Sequence, residues 1–206
     1  MHEVTICVAT YGHDRWRDLA ERRALRSARK QPADIVGVHF PDCSLAEVRN
    51  RALTLVGTEW VVFLDADDEL APGYVEALLA AAGDVRAPAV QYVNGMGVGQ
   101  VPYVPRVAGH SHACKAECLP LGNWLVIGSL VRAEMVRQVG GFRDWPCIED
   151  WDLWVRCWQA GATPTAVPEA VYRAHVRRDS RNRAARNGLM LETHRAIARD
   201  LGLPVP

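Results

Sequence analysis

The first 93 residues alternate short apolar runs, rich in β-branched side chains, with longer stretches of helical periodicity. The apolar runs cover residues 4–10, 34–40, 59–65 and 87–93. Strands that are apolar on both faces and are separated by helices are typical of a mostly parallel sheet with helices on both sides. The sequence therefore predicts an α/β fold in which this half has the order β-α-β-α-β-α-β.

Local signals place two of the helices between these runs. Ser44 and Glu47 have the spacing of a capping box, which predicts a helix that begins near Leu45. Pro72 suits the first turn of the next helix, and Gly83 suits its end. A further helical stretch over residues 15–30 is expected to form a single helix.

The second half has a different texture. Residues 94–123 are dense in glycine and proline and lack clear periodicity, which predicts a functional loop or a small irregular region. After it, residues 124–131 are strand-like, and helical segments follow, among them one that opens at residues 149–150. An extended pair over 165–176 and a tail helix complete the chain.

Composition excludes some broad classes of function. The formal net charge is zero, so no global field favours nucleic acid or an anionic membrane. No stretch reaches the roughly 18 apolar residues of a membrane helix, and the start lacks the pattern of a signal peptide. We therefore expect a cytoplasmic protein whose six cysteines are free thiols.

A cluster of acidic residues follows the third apolar run directly. The segment FLDADDEL places Asp65, Asp67 and Asp68 at the end of this predicted strand. Ligands in open α/β sheets bind outside the carboxyl ends of the strands. Mg²⁺ and Mn²⁺ prefer oxygen ligands, and Mg²⁺ takes one or two carboxylates together with phosphates and water. Asp65 and Asp67 are therefore candidates for binding a divalent cation or a substrate.

The last two acids of this segment have a second interpretation. Asp68 and Glu69 precede the helix expected near Pro72, where negative charge is favoured by the helix dipole. Both interpretations stay open for Asp68 and Glu69.

Five segments, taken in order along the chain, resemble one known family. FLDADD resembles the DxD motif of GT-A glycosyltransferases of the family 2-like type, and VATYG resembles their first nucleotide-contacting loop, usually T-Y-N. VRNRAL resembles the R-N helix before the DxD strand. VGGFRDWPCIEDWDLWVRCWQAG resembles the G-G-F…E-D-x-D-L-W-x-R…G block, and VPEAVYRAHVRRDS resembles the closing segment with its Y-R-x-H. Together they cover nearly the whole chain.

The resemblance implies a GT-A (Rossmann-like) fold: a mostly parallel central sheet, helices on both faces and a small irregular acceptor-side region. It implies one domain over residues 1–206, with a nucleotide-sugar-binding half (1–93), an acceptor and catalytic half (94–180) and a helical tail (181–206). The implied reaction moves a sugar, with inversion, from a nucleotide-diphosphate sugar, a UDP-sugar first among them, to an acceptor hydroxyl. The acceptor could be a glycan, a small molecule or a protein.

The resemblance also assigns roles to residues. Asp150 would be the general base with Glu149 beside it, and Asp67 and His175 would bind Mn²⁺ or Mg²⁺. Asp42 would contact the donor base, and Asp65 the ribose or base. The implied nucleotide-sugar-binding residues are Thr10, Tyr11, Asp42, Arg49, Asn50, Asp65, Ala66, Asp67 and Arg178. The family's acidic D-D-G-S loop appears here as PDCS, which weakens the assignment of Asp42.

Two electrostatic effects oppose each other at Asp150. A helix start favours its ionised form and weakens it as a base, whereas burial near other acids raises its pKa. The sequence leaves the balance open. The tryptophans of the same helix, Trp151, Trp154 and Trp158, are expected to belong to the core.

Two further clusters have alternative interpretations. His110, His112, Cys114 and Cys118 could bind zinc, although their spacing matches no standard finger, and an incidental cluster in a loop is the simpler interpretation. The closing segment is rich in arginine, which suits phosphate or a solvated helix face. These arginines are Arg173, Arg177, Arg178, Arg181, Arg183 and Arg186.

Three rival functions remain at this level. A non-catalytic GT-A-like module that binds nucleotide sugars would share the fold but lack transfer activity. A metal-dependent nucleotidyltransferase would usually have a glycine-rich basic first loop, which TYGHDR is not. Nucleic-acid binding has only the local arginine cluster in its favour and is not expected.

Overall fold

The computed structural model describes residues 2–97, 99–107, 114–177 and 188–205. Its centre is a seven-stranded sheet in the order β2-β1-β3-β6-β5-β7-β4, flanked by helices. The strands are β1 (Val4–Tyr11), β2 (Asp34–Phe40), β3 (Trp60–Phe63), β4 (Glu69–Leu70), β5 (Val85–Val93), β6 (Leu130–Arg132) and β7 (Pro164–His175).

The long strands pair in parallel. β1 lies between β2 and β3 and is parallel to both, and β5 is parallel to β7. The antiparallel pairs all involve two short strands: β6 lies between β3 and β5, and β4 pairs with the end of β7. The predicted α/β class is therefore confirmed, with short antiparallel strands at two positions.

The helices follow the predicted order. They are α1 (Arg15–Arg22), α2 (Ala24–Ala28), α3 (Leu45–Thr54), α4 (Tyr74–Ala80), α5 (Ala133–Gln138), α6 (Glu149–Gln159) and α7 (Leu189–Asp200), with a 3-10 helix at Ala116–Leu121. In the described part of the chain, no helix is long and apolar enough to cross a membrane.

The helix expected over residues 15–30 is interrupted. Arg23 leaves helical geometry at φ −124° and ψ −76°, which separates α1 from α2. The Arg23 guanidinium donates a hydrogen bond to the Asp67 carbonyl, 2.8 Å away. The Ser27 hydroxyl of α2 accepts from the Leu70 amide at 3.1 Å. The break thus gives the loop after β3 two partners on these helices.

The capping box at the start of α3 is confirmed. The Ser44 hydroxyl accepts from the Glu47 amide at 3.3 Å, and the Glu47 carboxylate accepts from the Ser44 amide at 2.8 Å. By contrast, α4 begins at Tyr74 rather than at Pro72, with Gly73 in a left-handed conformation (φ 75°) as its N-cap.

One strand prediction and one interpretation of a helix start need correction. The strand expected over 124–131 is reduced to β6, because Trp124 and Leu125 enter the core from irregular backbone instead. Asp68 and Glu69 do not cap α4, since Glu69 belongs to β4 and pairs with Arg173 in β7. The predicted burial of Trp151 and Trp154 is confirmed, as both side chains are fully buried, whereas Trp158 is partly buried and packs against the core.

Candidate functional site

The carboxyl ends of the parallel strands bring several predicted site residues to one edge of the sheet. The last residue of β1, Tyr11, lies beside Phe40 at the end of β2, and the Gly12 amide donates to the Pro41 carbonyl at 3.2 Å. β3 runs parallel on the other side of β1, so Asp65 emerges at the same edge. This arrangement follows from the β-α-β order itself.

At this edge, the end of β1 and the loop after β2 present one fixed and one open side chain. Thr10 is 4% exposed, and its hydroxyl donates to the Val38 carbonyl at 3.1 Å and lies 3.0 Å from Nδ1 of His39. Asp42 is exposed, and within the described residues its carboxylate makes no hydrogen bond or ion pair. Tyr11 is partly exposed. Sequence reasoning missed His39, which carries no motif signal.

Asp68 anchors the loop after β3 to β7; we call this loop, residues 65–68, the acidic loop. Its carboxylate accepts hydrogen bonds from the Tyr172 hydroxyl and the His175 amide, both at 2.8 Å, and the residue is 8% exposed. Burial, together with the charges of Asp65 and Asp67, raises the pKa of Asp68 well above its ordinary value. Asp68 is therefore a structural anchor that holds the acidic loop against β7.

Asp67 lies in the same loop with less compensation. Its carboxylate is 3.8 Å from Nε of Arg177. Burial, followed by repulsion from Asp65, raises the pKa of Asp67 to about 6. Ala66 between these acids is buried, so the two carboxylates lie on either side of a packed residue. A nearby positive charge would relieve this crowding.

The acidic loop fits a divalent cation that takes few protein ligands. The described residues contain no group of three or more His, Cys, Asp or Glu that could hold a metal ion by themselves. Mg²⁺ often takes one or two carboxylates and completes its shell with phosphate oxygens and water, so Asp67 suits it. The expected second ligand, His175, has Nε2 bound to the Glu69 carboxylate at 2.8 Å, so Nδ1 is the nitrogen left for a metal.

Arg49 joins the acidic loop to the E-D pair. Its two terminal nitrogens donate to Asp65 and to Glu149, each at 2.6 Å, and the residue is 3% exposed. The guanidinium also lies over the Phe142 ring, 5.1 Å from its centroid. The structure thus places Arg49 between two carboxylates that are 84 positions apart in the chain (149 − 65).

Asn50 anchors the G-G-F segment to α3. Its side-chain oxygen accepts from the Phe142 amide at 2.8 Å, and its side-chain nitrogen donates to the Phe142 carbonyl at 2.9 Å. Gly141 has φ 70°, and a Cβ there would lie 2.4 Å from the Asn50 side-chain oxygen. The R-N and G-G-F motifs are therefore one structural unit, and glycine is required where they meet.

Asp150 lies at the start of α6, directly after a left-handed residue. Ile148 has φ 50°, which is uncommon for a β-branched side chain and costs of the order of 1 kcal/mol or more. One Asp150 oxygen accepts from the Asn123 amide group at 3.0 Å, and the other accepts from the Trp151 backbone amide at 2.9 Å. These bonds fix the carboxylate at the helix start.

The electrostatic balance at Asp150 favours the protonated form. Burial, followed by the charge of Glu149, raises the pKa of Asp150 to about 7, although Arg49 and the two hydrogen bonds act in the opposite direction. Burial therefore outweighs the helix terminus. Asn123 was missed in the sequence, where it is the last residue of the irregular region and has no periodic signal.

Some predicted residues lie elsewhere. Arg178, His110 and His112 are outside the described residues. Cys114 is buried and its sulfur accepts from the Val107 amide at 3.2 Å, so this thiol has a structural contact. Arg173 donates to the Gln91 side chain at 3.1 Å.

Part of the chain matches a known protein family. The family model "Glycosyl transferase family 2" matches residues 14–106, somewhat less than half of the chain. No curated protein matches the sequence.

Solved structures of TarS from S. aureus match the fold. TarS 1-349 in complex with UDP-GlcNAc matches with a TM-score of 0.69 at 16% identity, covering 100% of this chain and 68% of that one. The same fragment in complex with UDP gives 0.61 at 16% identity, with 98% and 67% covered. A further TarS structure gives 0.65 at 16% identity and covers 100% of this chain and 41% of that one. The chain therefore has the GT-A fold that these TarS structures share.

Proposed function

We propose that the protein is a glycosyltransferase that moves a sugar, with inversion, from a nucleotide-diphosphate sugar to an acceptor hydroxyl. The observation that carries the proposal is the pairing of two carboxylate groups at one sheet edge. One group follows β3, the other opens α6, and Arg49 bonds to both at 2.6 Å. A UDP-sugar is the first candidate donor, since the similar fold of TarS is solved with UDP-GlcNAc and with UDP.

The donor would lie across the ends of β1, β2 and β3. Tyr11 and Asp42 are exposed enough to contact a base, and Asp65 is 39% exposed at its side chain beside them. Thr10 shapes this edge through its bonds to β2. Arg49 donates to Asp65, and Asn50 accepts from the Phe142 amide. We propose that Arg49 and Asn50 act on the donor through these contacts. Arg178 remains a proposed diphosphate contact.

A divalent cation fits the acidic loop. We propose that Asp67 holds Mn²⁺ or Mg²⁺, with His175 as a second candidate ligand. Such an ion supplies charge neutralisation at the leaving diphosphate. The chain itself contributes the Asp67 carboxylate. Burial and the charge of Asp65 raise its pKa, and a bound cation would stabilise its ionised form.

The proposed base is Asp150. A pKa of about 7 leaves a large part of this carboxyl ionised at neutral pH and able to take a proton. The acceptor oxygen forms a bond to the anomeric carbon, the bond from that carbon to the diphosphate oxygen breaks with its electron pair, and the acceptor proton passes to Asp150. Glu149 holds Arg49 and adds negative charge beside the base.

The division into a donor half (1–93), an acceptor half (94–180) and a tail (181–206) is part of the same proposal. The cytoplasmic location stays a prediction from the sequence.

The direct test is a thermal-shift panel of UDP, GDP, CDP and dTDP, each with and without Mn²⁺. We expect UDP with Mn²⁺ to raise the melting temperature, because a ligand that binds only the native state stabilises it. Asp67→Asn should remove the Mn²⁺-dependent part of this shift.

Asp18→Asn is the matched control, since Asp18 is an exposed acid on α1. The proposal fails if no nucleotide stabilises the protein, or if Asp67→Asn and Asp18→Asn behave alike. Nucleotide binding with no transfer to any acceptor would instead indicate a non-catalytic binding module.

A further inference from the structure

The segment after β5 turns back and pairs with the last residues of β5 as a β-hairpin. The Val90 amide donates to the Tyr103 carbonyl at 2.8 Å, and the Tyr103 amide donates back to the Val90 carbonyl at 3.0 Å. The Gln100 amide donates to the Tyr92 carbonyl at 2.9 Å, and Val93 bridges Gly99. Much of the glycine-rich first part of the irregular region is therefore an ordered return strand.

The hairpin is fixed by a buttress on its other face. The Gln91 side chain donates to the Gln100 carbonyl at 2.9 Å and accepts from the Arg173 guanidinium at 3.1 Å. A Cβ at Gly99 would lie 2.7 Å from the end of the same Gln91 side chain, so a larger residue there would have to displace this side chain. The side chains of the opposite face are thus held on a defined backbone.

That opposite face presents two tyrosines. Tyr92 and Tyr103 have ring centroids 6.1 Å apart with an interplanar angle of 40°, and they are 39% and 46% exposed. Val90 and Tyr92 are two residues apart on one strand and Val90 pairs with Tyr103, so the rings are diagonal neighbours. Together they form a surface, the tyrosine pair, with apolar faces and polar edges.

The tyrosine pair lies next to the acidic loop. In the sheet, Tyr92 is opposite Ala174 and Val93 is opposite His175, whose amide donates to Asp68. Burial is the main cause that raises the pKa of Tyr92, followed by Tyr103, and the charge of Asp68 adds to it. A ligand on the tyrosine pair would therefore extend directly into the proposed reaction site.

The chemistry of the hairpin favours a neutral, hydroxyl-rich ligand. Residues 87–105 contain no Asp, Glu, Lys or Arg, although Arg86 and Arg106 flank them. They do contain the amides of Asn94 and Gln100. A sugar ring has an apolar C–H face that packs on an aromatic ring and hydroxyls that bond to amides and phenols. A membrane surface is less suited, because peripheral anchors usually add basic residues.

We propose that the tyrosine pair is an acceptor subsite that binds the ring of a neutral sugar, so that the acceptor is a carbohydrate. The role as acceptor subsite rests on the proposed glycosyltransferase function, whereas sugar binding by the pair can be tested by itself.

The test is saturation-transfer NMR with a panel of neutral di- to tetrasaccharides built from glucose, galactose or N-acetylglucosamine. The protein is saturated with UDP and Mn²⁺. We expect at least one oligosaccharide to bind, and Tyr92→Ala and Tyr103→Ala each to weaken it roughly tenfold, as for an aromatic residue central to an interface. Tyr92→Leu and Tyr103→Leu keep side-chain bulk and should weaken binding too, which guards against loss of folding.

Leu55→Ala is the control, because Leu55 is 61% exposed at the end of α3, on the opposite edge of the sheet. It should leave oligosaccharide binding unchanged, and all variants should keep the UDP-dependent thermal shift. The inference is overturned if no oligosaccharide binds, if the tyrosine variants stay within twofold of the native protein, or if phosphatidylcholine vesicles bind in their place. If UDP does not raise the melting temperature of the native protein, that result would count against the proposed glycosyltransferase function and not against sugar binding by the tyrosine pair.

Discussion

Two groups of carboxylates face each other in this protein, and they are built differently. The loop after β3 gathers Asp65, Asp67 and Asp68 at a strand end, whereas Glu149 and Asp150 stand at a helix start. Arg49 neutralises one member of each group, Asp65 and Glu149. The neighbours to which Arg49 does not hydrogen-bond, Asp67 and Asp150, have raised pKa values of about 6 and about 7.

The difference lies in what completes each group. Burial and repulsion from Asp65 raise the pKa of Asp67 more than the charges of Arg177, whose Nε is 3.8 Å away, and Arg23 lower it, so this loop favours a further cation. Asp150 instead receives two neutral donors, from Asn123 and the Trp151 amide, which fix a carboxylate without discharging it. One crowded site thus suits metal binding and the other suits proton transfer, although both start from adjacent acids.

The largest expected effect is on catalysis at the second group. Asp150→Asn keeps an acceptor for the Trp151 amide but removes the base, so kcat should fall by about 10²–10⁴-fold. UDP binding measured by thermal shift should persist. An Asp150→Asn variant that keeps nearly full transfer activity would move the base elsewhere.

The next largest effect is expected when Arg49, which bonds to both groups of carboxylates, is replaced. Arg49→Met leaves the Asp65 and Glu149 carboxylates without their shared cation, and we expect the free energy of unfolding to fall by about 3 kcal/mol. Arg49→Lys, which keeps the charge but bonds to one carboxylate at a time, should lose less. Urea unfolding measures both, and equal losses would show that the charge itself is unimportant.

The pH profile sharpens the comparison further. Because the base must be ionised, kcat/KM should rise about tenfold per pH unit below about pH 7 and level off above it. Glu149→Gln removes a charge that raises the Asp150 pKa, so the limb should move to lower pH. A limb that stays in place would remove Asp150 or Glu149 from this account.

The free energy of unfolding should change with pH in the opposite direction to kcat/KM. Both Asp67 and Asp150 bind protons more tightly in the native state, so their contribution is present below pH 4 and is lost as pH rises through about 6 and about 7.

The smallest effect concerns the anchor of the acidic loop. Tyr172→Phe removes a hydrogen bond to the buried Asp68 carboxylate, and the free energy of unfolding should fall by about 1–3 kcal/mol. Thr54→Val is a comparison on the exposed end of α3, where the threonine hydroxyl bonds only locally to the Arg51 carbonyl. If both cost the same, Asp68 is not an anchor.

Local rules accounted for much of the fold. The α3 helix begins at the predicted residue because a capping box is contained within four positions of the chain. β4 escaped prediction, and the strand that contains β6 was predicted too long, because strands of two and three residues carry no periodicity and exist only through distant partners. The α1–α2 break likewise depends on contacts of Arg23 and Ser27 with the loop after β3.

The candidate site divides in the same way. Strand order and motif placed Asp65, Asp67 and Asp150, and the structure brings the first and last into one network through Arg49 and Glu149. Asn123 could not be found, because its contact with Asp150 crosses 27 positions without a pattern. Tyr172 stood within the Y-R-x-H motif, and the structure shows that it is one of the buried positions of β7.

The place of β6 has a consequence for how the protein is made. This three-residue strand is the bridge between β3 and β5 in the described sheet, yet it emerges after both of them during synthesis. Until residue 132 has left the ribosome, β3 and β5 each present an unpaired edge to the cell. Amino-terminal fragments that stop before β6 should therefore be prone to aggregation, even when they contain every residue of the acidic loop.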